Sequence, residues 1–264
     1  MVNLTIGGGN FKGLAFLGAL EYLHKNNLLT CLENFYGNSI GSVIGILYII
    51  GYEPFELFNI LLNINFDSFC DFKLENIDKH YSLITDKFFI TLSEIFSRKE
   101  SKDITVKEFC DKYSVNINIF AVSLKKRKTV TFNKLNYSNI KVLTAVQASC
   151  SIPFIFPPVN IDGEYFIDGC MKCVSGHVNQ SCTSGYIIKL NVDNNEINNF
   201  SSYISEVLNT ILSNEDELVT KNTICINLET KYSKKINFND ISQTDKVLLY
   251  YEGLKQAKKQ FETI

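Results

Sequence analysis

The chain has 264 residues, 45% of them hydrophobic, and a formal net charge of −2 at pH 7. That length and apolar content suffice for one well-filled domain, expected to span 1–264, and exclude a disordered chain. The near balance of 26 basic and 28 acidic residues, with no basic tail or long charge block, speaks against nucleic acid as a partner.

No stretch has the composition of a linker, and there is no internal repeat. The N-terminus is read as carrying no secretory signal, because a glycine loop begins at Gly7 and leaves no room for one. The most apolar window, Ile40 to Tyr52, is far shorter than the ~20 residues that span a bilayer and is expected to be a buried helix. The eight cysteines are scattered, mostly in apolar surroundings, as free thiols in a reducing compartment would be. The expectation is a cytoplasmic protein.

Strand-like and helix-like stretches alternate along the chain, which favours an α/β layered fold. The apolar run 2–6 reads as a strand, and Gly7-Gly8-Gly9-Asn10-Phe11-Lys12-Gly13 leads from it into a helix over 13–25. A short strand over 34–36 then meets Gly37-Asn38-Ser39-Ile40-Gly41, followed by a helix over 40–50. Helices over 54–62, 85–97 and 106–113 come next, interrupted by an irregular segment, 63–82, that mixes Phe66, Phe69, Phe72 and Tyr81 with charges. That segment is either a lipid-contacting lid or a loop packed on the core. Strands over 117–124 and 129–133 flank the hairpin tip Lys125-Lys126-Arg127-Lys128. A helix over 139–148 precedes a hairpin turn at Asp162-Gly163 and a strand over 164–167. Strands over 185–190 and 223–228 and helices over 203–213 and 240–261 complete the pattern.

Two of these turns carry chemistry. A serine hydroxyl is a poor nucleophile until it is positioned and a base can take its proton. In Gly-x-Ser-x-Gly, Gly37 and Gly41 let strand and helix approach closely and push Ser39 up on a strained corner. Gly7, Gly8 and Gly9, ahead of a helix, can present unobstructed backbone amides to the oxyanion that attack on an ester creates. A glycine turn of this kind also binds phosphates, but neither the dinucleotide nor the Walker spacing is present.

The base has two readings. His24 lies in the first helix, His80 in the irregular segment, and His177 follows Asp168 closely, so a Ser39-Asp168-His177 triad can be drawn. The preferred reading is Asp168 acting alone, an acid at a strand end beside Gly169. An ordinary aspartate is a weak base, so Asp168 must be partly desolvated and bonded directly to the serine.

These blocks resemble the patatin-like phospholipase family. The glycine loop 7–13 with its continuation Leu14 to Leu20, the turn Gly37 to Ser42, the segment Ala148-Ser149-Cys150-Ser151-Ile152-Pro153-Phe154-Ile155-Phe156-Pro157-Pro158-Val159 and Asp168-Gly169 occur in the family's order. The resemblance covers roughly 2–170 and weakens beyond Lys172. It implies a three-layer α/β/α sandwich with a central, mostly parallel sheet, and a Ser39-Asp168 dyad. It also implies an oxyanion hole at the Gly8-Gly9 region and phospholipid or another acyl lipid as substrate, with transient membrane-surface contact. No cofactor or metal is called for. Asn10 stands where glycine or alanine is usual, Asn38 and Ile40 replace smaller neighbours of the serine, and Cys170 replaces a glycine or alanine. These departures bear on rate and substrate range. Asn10 and the bulky Ile40 motivate one rival, a catalytically silent lipid-binding module, and the shared acyl-enzyme chemistry allows another, an acyltransferase or thioesterase of the same fold.

Three further signals have two readings each. Cys170-x2-Cys173 with His177 and Cys182 can be drawn as a zinc site but lacks paired knuckles. Lys12 is either a contact for a lipid phosphate or a solvated helix-start residue. Lys125 to Lys128 would attract an anionic membrane at ~1 kcal/mol per residue, or are a soluble hairpin tip.

Overall fold

The apolar run Val2–Ile6 forms strand β1, buried from Asn3 onward, at the centre of the sheet in the computed structural model. The structure describes residues 2–65, 69, 75–172, 185–191, 203, 207, 222–228 and 241–262. β1 pairs in parallel with β2 (Leu32–Asn38) on one edge and, later in the chain, with β7 (Tyr186–Asn191) on the other. β3 (Asn116–Ser123) continues the parallel sheet beyond β2, and β8 (Thr223–Asn227) continues it beyond β7. The loop after β1 therefore opens at the carboxyl ends of the strands, at a point where the connections diverge. The fold is the expected three-layer α/β/α sandwich.

The register around β3 is what brings distant residues together. β2 occupies one edge of β3 as far as the Asn38–Phe120 pair. The hairpin strand β4 (Lys128–Phe132) takes the other edge. The antiparallel strand β6 (Glu164–Asp168), fed by β5 (Val159–Ile161), pairs with Ala121 to Ser123. Since β4 already fills one edge at those residues, β6 lies on the edge used by β2, and the two strands meet end to end. Asp168 pairs with Ala121 one step beyond Asn38. Gly169 is wedged at the junction, where a methyl group would fall 2.3 Å from Asn38 Oδ1 and 2.5 Å from the Phe120 carbonyl oxygen.

Helix α1 (Gly13–Lys25) follows the glycine loop, and α2 (Ile40–Ile49) follows β2. α3 (Pro54–Asn63) starts with proline in its first turn and a capping box between Glu53 and Glu56. A short α4 (Glu75–His80), then α5 (Lys87–Ser97) and α6 (Val106–Tyr113), lead to β3. α7 (Val142–Ser149) packs on β3 and β6. The last helix, α8 (Gln243–Glu262), lies along α1 at close range: a methyl on Gly18 would fall 1.9 Å from the Tyr250 carbonyl oxygen, and one on Gly253 1.8 Å from that of Ala15. Its Lys246 donates to the carbonyls of Leu61, Leu62 and Ile64 at 3.0–3.3 Å and so caps the end of α3. No described helix is long and apolar enough to cross a membrane.

Three expectations shift. Helix α7 starts at Val142 rather than 139, because the Ser138 and Ile140 carbonyls accept from Lys107 and Val106 at the start of α6. The hairpin before β6 has a strand in its first arm, and 63–82 contains α4. Within that segment Phe69 packs against Phe88 with ring centroids 5.9 Å apart, whereas Tyr81 stands in solvent. Phe66 and Phe72, and the predicted helix 203–213 apart from residues 203 and 207, lie outside the described residues.

Candidate active site

β2 ends at Asn38 and α2 begins at Ile40, so the chain must reverse within one residue. Ser39 makes that turn with φ +51° and ψ −130°, a conformation that costs a non-glycine residue ~1–3 kcal/mol. Neighbouring groups hold it there. The Ser39 amide donates to Ser149 Oγ at 2.9 Å, and Ser42 Oγ donates to the Ser39 carbonyl at 2.6 Å. Gly41 lets α2 pass the end of β1, since a methyl group would fall 2.2 Å from the Ile6 carbonyl oxygen.

The turn aims Ser39 Oγ at Asp168, and the hydroxyl donates to Oδ2 at 2.7 Å. The other carboxylate oxygen accepts from the Cys170 amide at 2.8 Å, and the Asp168 amide donates to the Ser151 carbonyl at 2.9 Å. The segment from Ser149 to Ser151 thus holds both residues of the pair, a role that sequence reasoning missed. The only signal for it was the likeness of that block to the family's. Asp168 is 2% exposed. Burial pushes its carboxyl up to about 6, against the pull of the hydrogen bonds from Ser39 and Cys170.

Of the glycine loop, Gly7 commits its amide to the Ile188 carbonyl at 3.0 Å, an extension of the β1–β7 pairing. The amides of Gly8 and Gly9 have no acceptor among the described residues. Gly8 lies against the serine: a methyl group there would be 3.5 Å from Ser39 Cβ and only 2.1 Å from Cys170 Sγ. Cys170 therefore touches both the loop and the carboxylate, and its bulk fits because position 8 has no side chain. Gly9 is pressed by Leu190 and Phe16. The three glycines predicted to act together accordingly divide into a structural Gly7 and two available donors.

An apolar channel opens beside Ser39. Ile40, Val43, Ile44 and Leu47 line it from one face of α2, with Asn10, Phe11 and residues of α3, α5 and the 150–156 segment around them. Ile40 is accommodated by Gly13, where a methyl group would come 2.8 Å from Ile40 Cγ1. Asn10 (φ +51°) is part of the wall. Lys12 is not, and burial holds its ammonium below the usual lysine range. Cys150 lies beside the pair, and burial together with the Asp168 charge pushes its thiol well up, which keeps it protonated.

His24 bonds Tyr48 at 3.2 Å, and His80 is exposed at the end of α4. Among the described residues no histidine reaches Asp168. His177, Cys173 and Cys182, which would complete the drawn triad and zinc set, lie outside the described residues. Among the described residues no group of three or more histidine, cysteine or acidic side chains could hold a metal ion. Cys31, Cys110, Cys150, Cys170 and Cys225 are not joined in disulfides.

The family profile of patatin-like phospholipases matches residues 4–172. A probable lipid hydrolase, 463L, of Invertebrate iridescent virus 6 is 29% identical over 181 residues, covering 63% of this chain and 58% of that protein. The uncharacterized protein R571 of Acanthamoeba polyphaga mimivirus is 29% identical over 179 residues, with 63% and 57% covered. The chain thus spans under two thirds of the length of these relatives. Among solved structures, VipD from Legionella pneumophila superposes with a TM-score of 0.60 at 13% identity, over 99% of this chain and 67% of VipD. At that identity the likeness speaks for the fold alone.

Proposed function

Because the chain belongs to the patatin-like phospholipase family, we propose that it hydrolyses fatty-acyl esters of phospholipids in a phospholipase A-type reaction, with Ser39 as nucleophile and Asp168 as base. The observation that carries this reading is the 2.7 Å bond from Ser39 Oγ to Asp168 Oδ2 at the side of an apolar channel. The Cys170 amide fixes one carboxylate oxygen and leaves the other to the hydroxyl.

Ser39 Oγ attacks the ester carbonyl carbon as its proton passes to Asp168. The oxyanion lies on the Gly8 and Gly9 amides, each such donor being worth ~3–4 kcal/mol of barrier. Asp168 returns the proton to the departing lysolipid alkoxide. It then takes a proton from water as the water attacks the acyl-serine, and passes that proton to Ser39 Oγ as the acyl–oxygen bond breaks, which releases the fatty acid and restores the hydroxyl and the carboxylate. A carboxyl at about 6 is a better base than one at 3.8 and is still ionised at neutral pH. The acyl chain lies in the channel, where each buried methylene contributes ~0.8 kcal/mol.

The test is a fluorophosphonate probe followed by mass spectrometry, together with incubation on mixed phospholipids. Label on Ser39 and release of fatty acid and lysolipid are expected. Both should be lost in Ser39→Ala, and Asp168→Asn should abolish turnover with native circular dichroism. An unlabelled serine in folded protein that still binds lipid would replace this reading with the silent binding module.

A further inference from the structure

Four large apolar side chains stand in solvent on four segments whose backbones are joined to one another. Tyr81, Phe154, Tyr165 and Leu124 are 62%, 63%, 40% and 49% exposed. The Tyr81 and Tyr165 rings meet edge to face with centroids 6.3 Å apart. Leu83, two residues from Tyr81, donates its amide to the Phe154 carbonyl at 2.7 Å. The Leu124 amide donates to the Tyr165 carbonyl at 3.0 Å. Tyr81 and Phe154 have φ of +58° and +68°, in the left-handed region that bulky residues rarely occupy. The backbone is thus held in an unfavourable conformation at both places where it turns an aromatic ring outward.

Charge continues the patch. Leu124 leads directly into Lys125, Lys126, Arg127 and Lys128, all exposed. Lys126 is engaged by Glu164 at 3.3 Å, and Asp162 lies on the neighbouring hairpin tip. Asp78 and Lys79, just before Tyr81, offset one another. The four bases of the tip less these two acids leave a net charge of +2 beside the rings. The patch is also joined to the channel, because Phe154 lies between Ile152 and Phe156, both wall residues.

We propose that this patch is the surface by which the protein docks on an anionic phospholipid bilayer. Tyr81, Phe154, Tyr165 and Leu124 enter the headgroup layer, while Lys125, Arg127 and Lys128 face the lipid phosphates. The channel wall comes down on the lipid with the 152–156 segment. The proposal rests on the lipid-hydrolase reading for its purpose, but its test is separate.

The chain contains no tryptophan, so Phe154→Trp introduces a sole indole reporter at the patch. In a Ser39→Ala background, which leaves vesicles intact, its emission should shift to shorter wavelength on mixed phosphatidylcholine–phosphatidylserine vesicles. The shift should weaken with salt and on pure phosphatidylcholine. The combined Tyr81→Asn and Tyr165→Ser variant, in which asparagine suits the left-handed backbone, should co-sediment with the mixed vesicles about tenfold more weakly. In the wild-type background it should turn over a dispersed short-chain ester at the unaltered rate. Undiminished sedimentation of that variant, or an indole indifferent to vesicles, would overturn the proposal. So would a vesicle-free shift that follows protein concentration, which would assign the patch to a second copy of the chain. If Phe154→Trp fails to fold, Tyr165→Trp serves as the reporter. Ester turnover without vesicle binding removes the docking surface alone, whereas vesicle binding without turnover removes the hydrolase alone.

Discussion

Replacement of the proposed base should make the protein more stable. Burial raises the Asp168 carboxyl from its ordinary 3.8 to about 6. The native state therefore disfavours the carboxylate by ~3 kcal/mol at neutral pH relative to the unfolded chain. Asparagine has nearly the same shape and no charge. Its oxygen can still accept from the Cys170 amide, and its amino group can donate to Ser39 Oγ, since a hydroxyl accepts as readily as it donates.

The sign follows from proton binding. Between about 3.8 and 6 the native protein holds a proton on Asp168 that the unfolded chain releases, so wild-type stability falls as pH rises through that window. Below it both states are protonated and the penalty is absent. Urea unfolding of wild type and Asp168→Asn across the pH range should show curves that coincide near pH 4 and separate to ~3 kcal/mol above pH 6.5. At this chain length such a gap raises the melting midpoint by roughly 6–10 °C. A variant no more stable than wild type at pH 7.5, or a gap independent of pH, would refute the claim that desolvation dominates at this carboxyl.

The same titration should appear in catalysis: kcat/KM of the wild type on a dispersed ester should rise with pH and level off above about 6, as the base loses its proton. Ser39→Gly should be more stable than Ser39→Ala by about 1 kcal/mol in thermal unfolding, because the relief of the positive φ exceeds the extra chain entropy of glycine. Gly8→Ala should lower kcat by 10²–10³ through collision of the new methyl with Cys170 Sγ, and adding Cys170→Gly should recover most of the loss. Leu47 lies ~10 Å further along α2 than Ile40, so Leu47→Trp should block the far part of the channel. An ester series should then show long-chain turnover lost and short-chain turnover kept.

The local chemistry was legible in the sequence because glycines mark where backbones must touch. Gly41 and Gly8 sit where a methyl group would strike the Ile6 carbonyl or the Cys170 sulfur, so spacing alone located the turn and the loop. The length of the apolar runs and the glycine loops that bound them placed α1, α2 and the strands before them. Register was not legible. That β2 and β6 share one edge of β3 depends on β4 having taken the other, and no local pattern encodes it. The commitment of the Gly7 amide to Ile188, which leaves two of three glycines as donors, is likewise a product of long-range pairing.

The family-matched segment, 4–172, contains both Ser39 and Asp168, yet it does not hold the glycine loop by itself. β7 anchors that loop through the Ile188 carbonyl on Gly7 and the Leu190 side chain on Gly9. α8 fixes α1, the helix that starts where the loop ends, through the close passes at Gly18 and Gly253, and it caps α3 with Lys246. α3 in turn supplies channel wall at Leu57, Ile60 and Leu61. The Ser39–Asp168 pair and part of the frame around it therefore come from different parts of the chain. Oxyanion stabilisation depends on donors preorganised to within a fraction of an ångström, whereas a directly bonded acid–base pair carries its own geometry. Loss of the C-terminal contacts should accordingly damage the loop first and leave the Ser39–Asp168 bond for last.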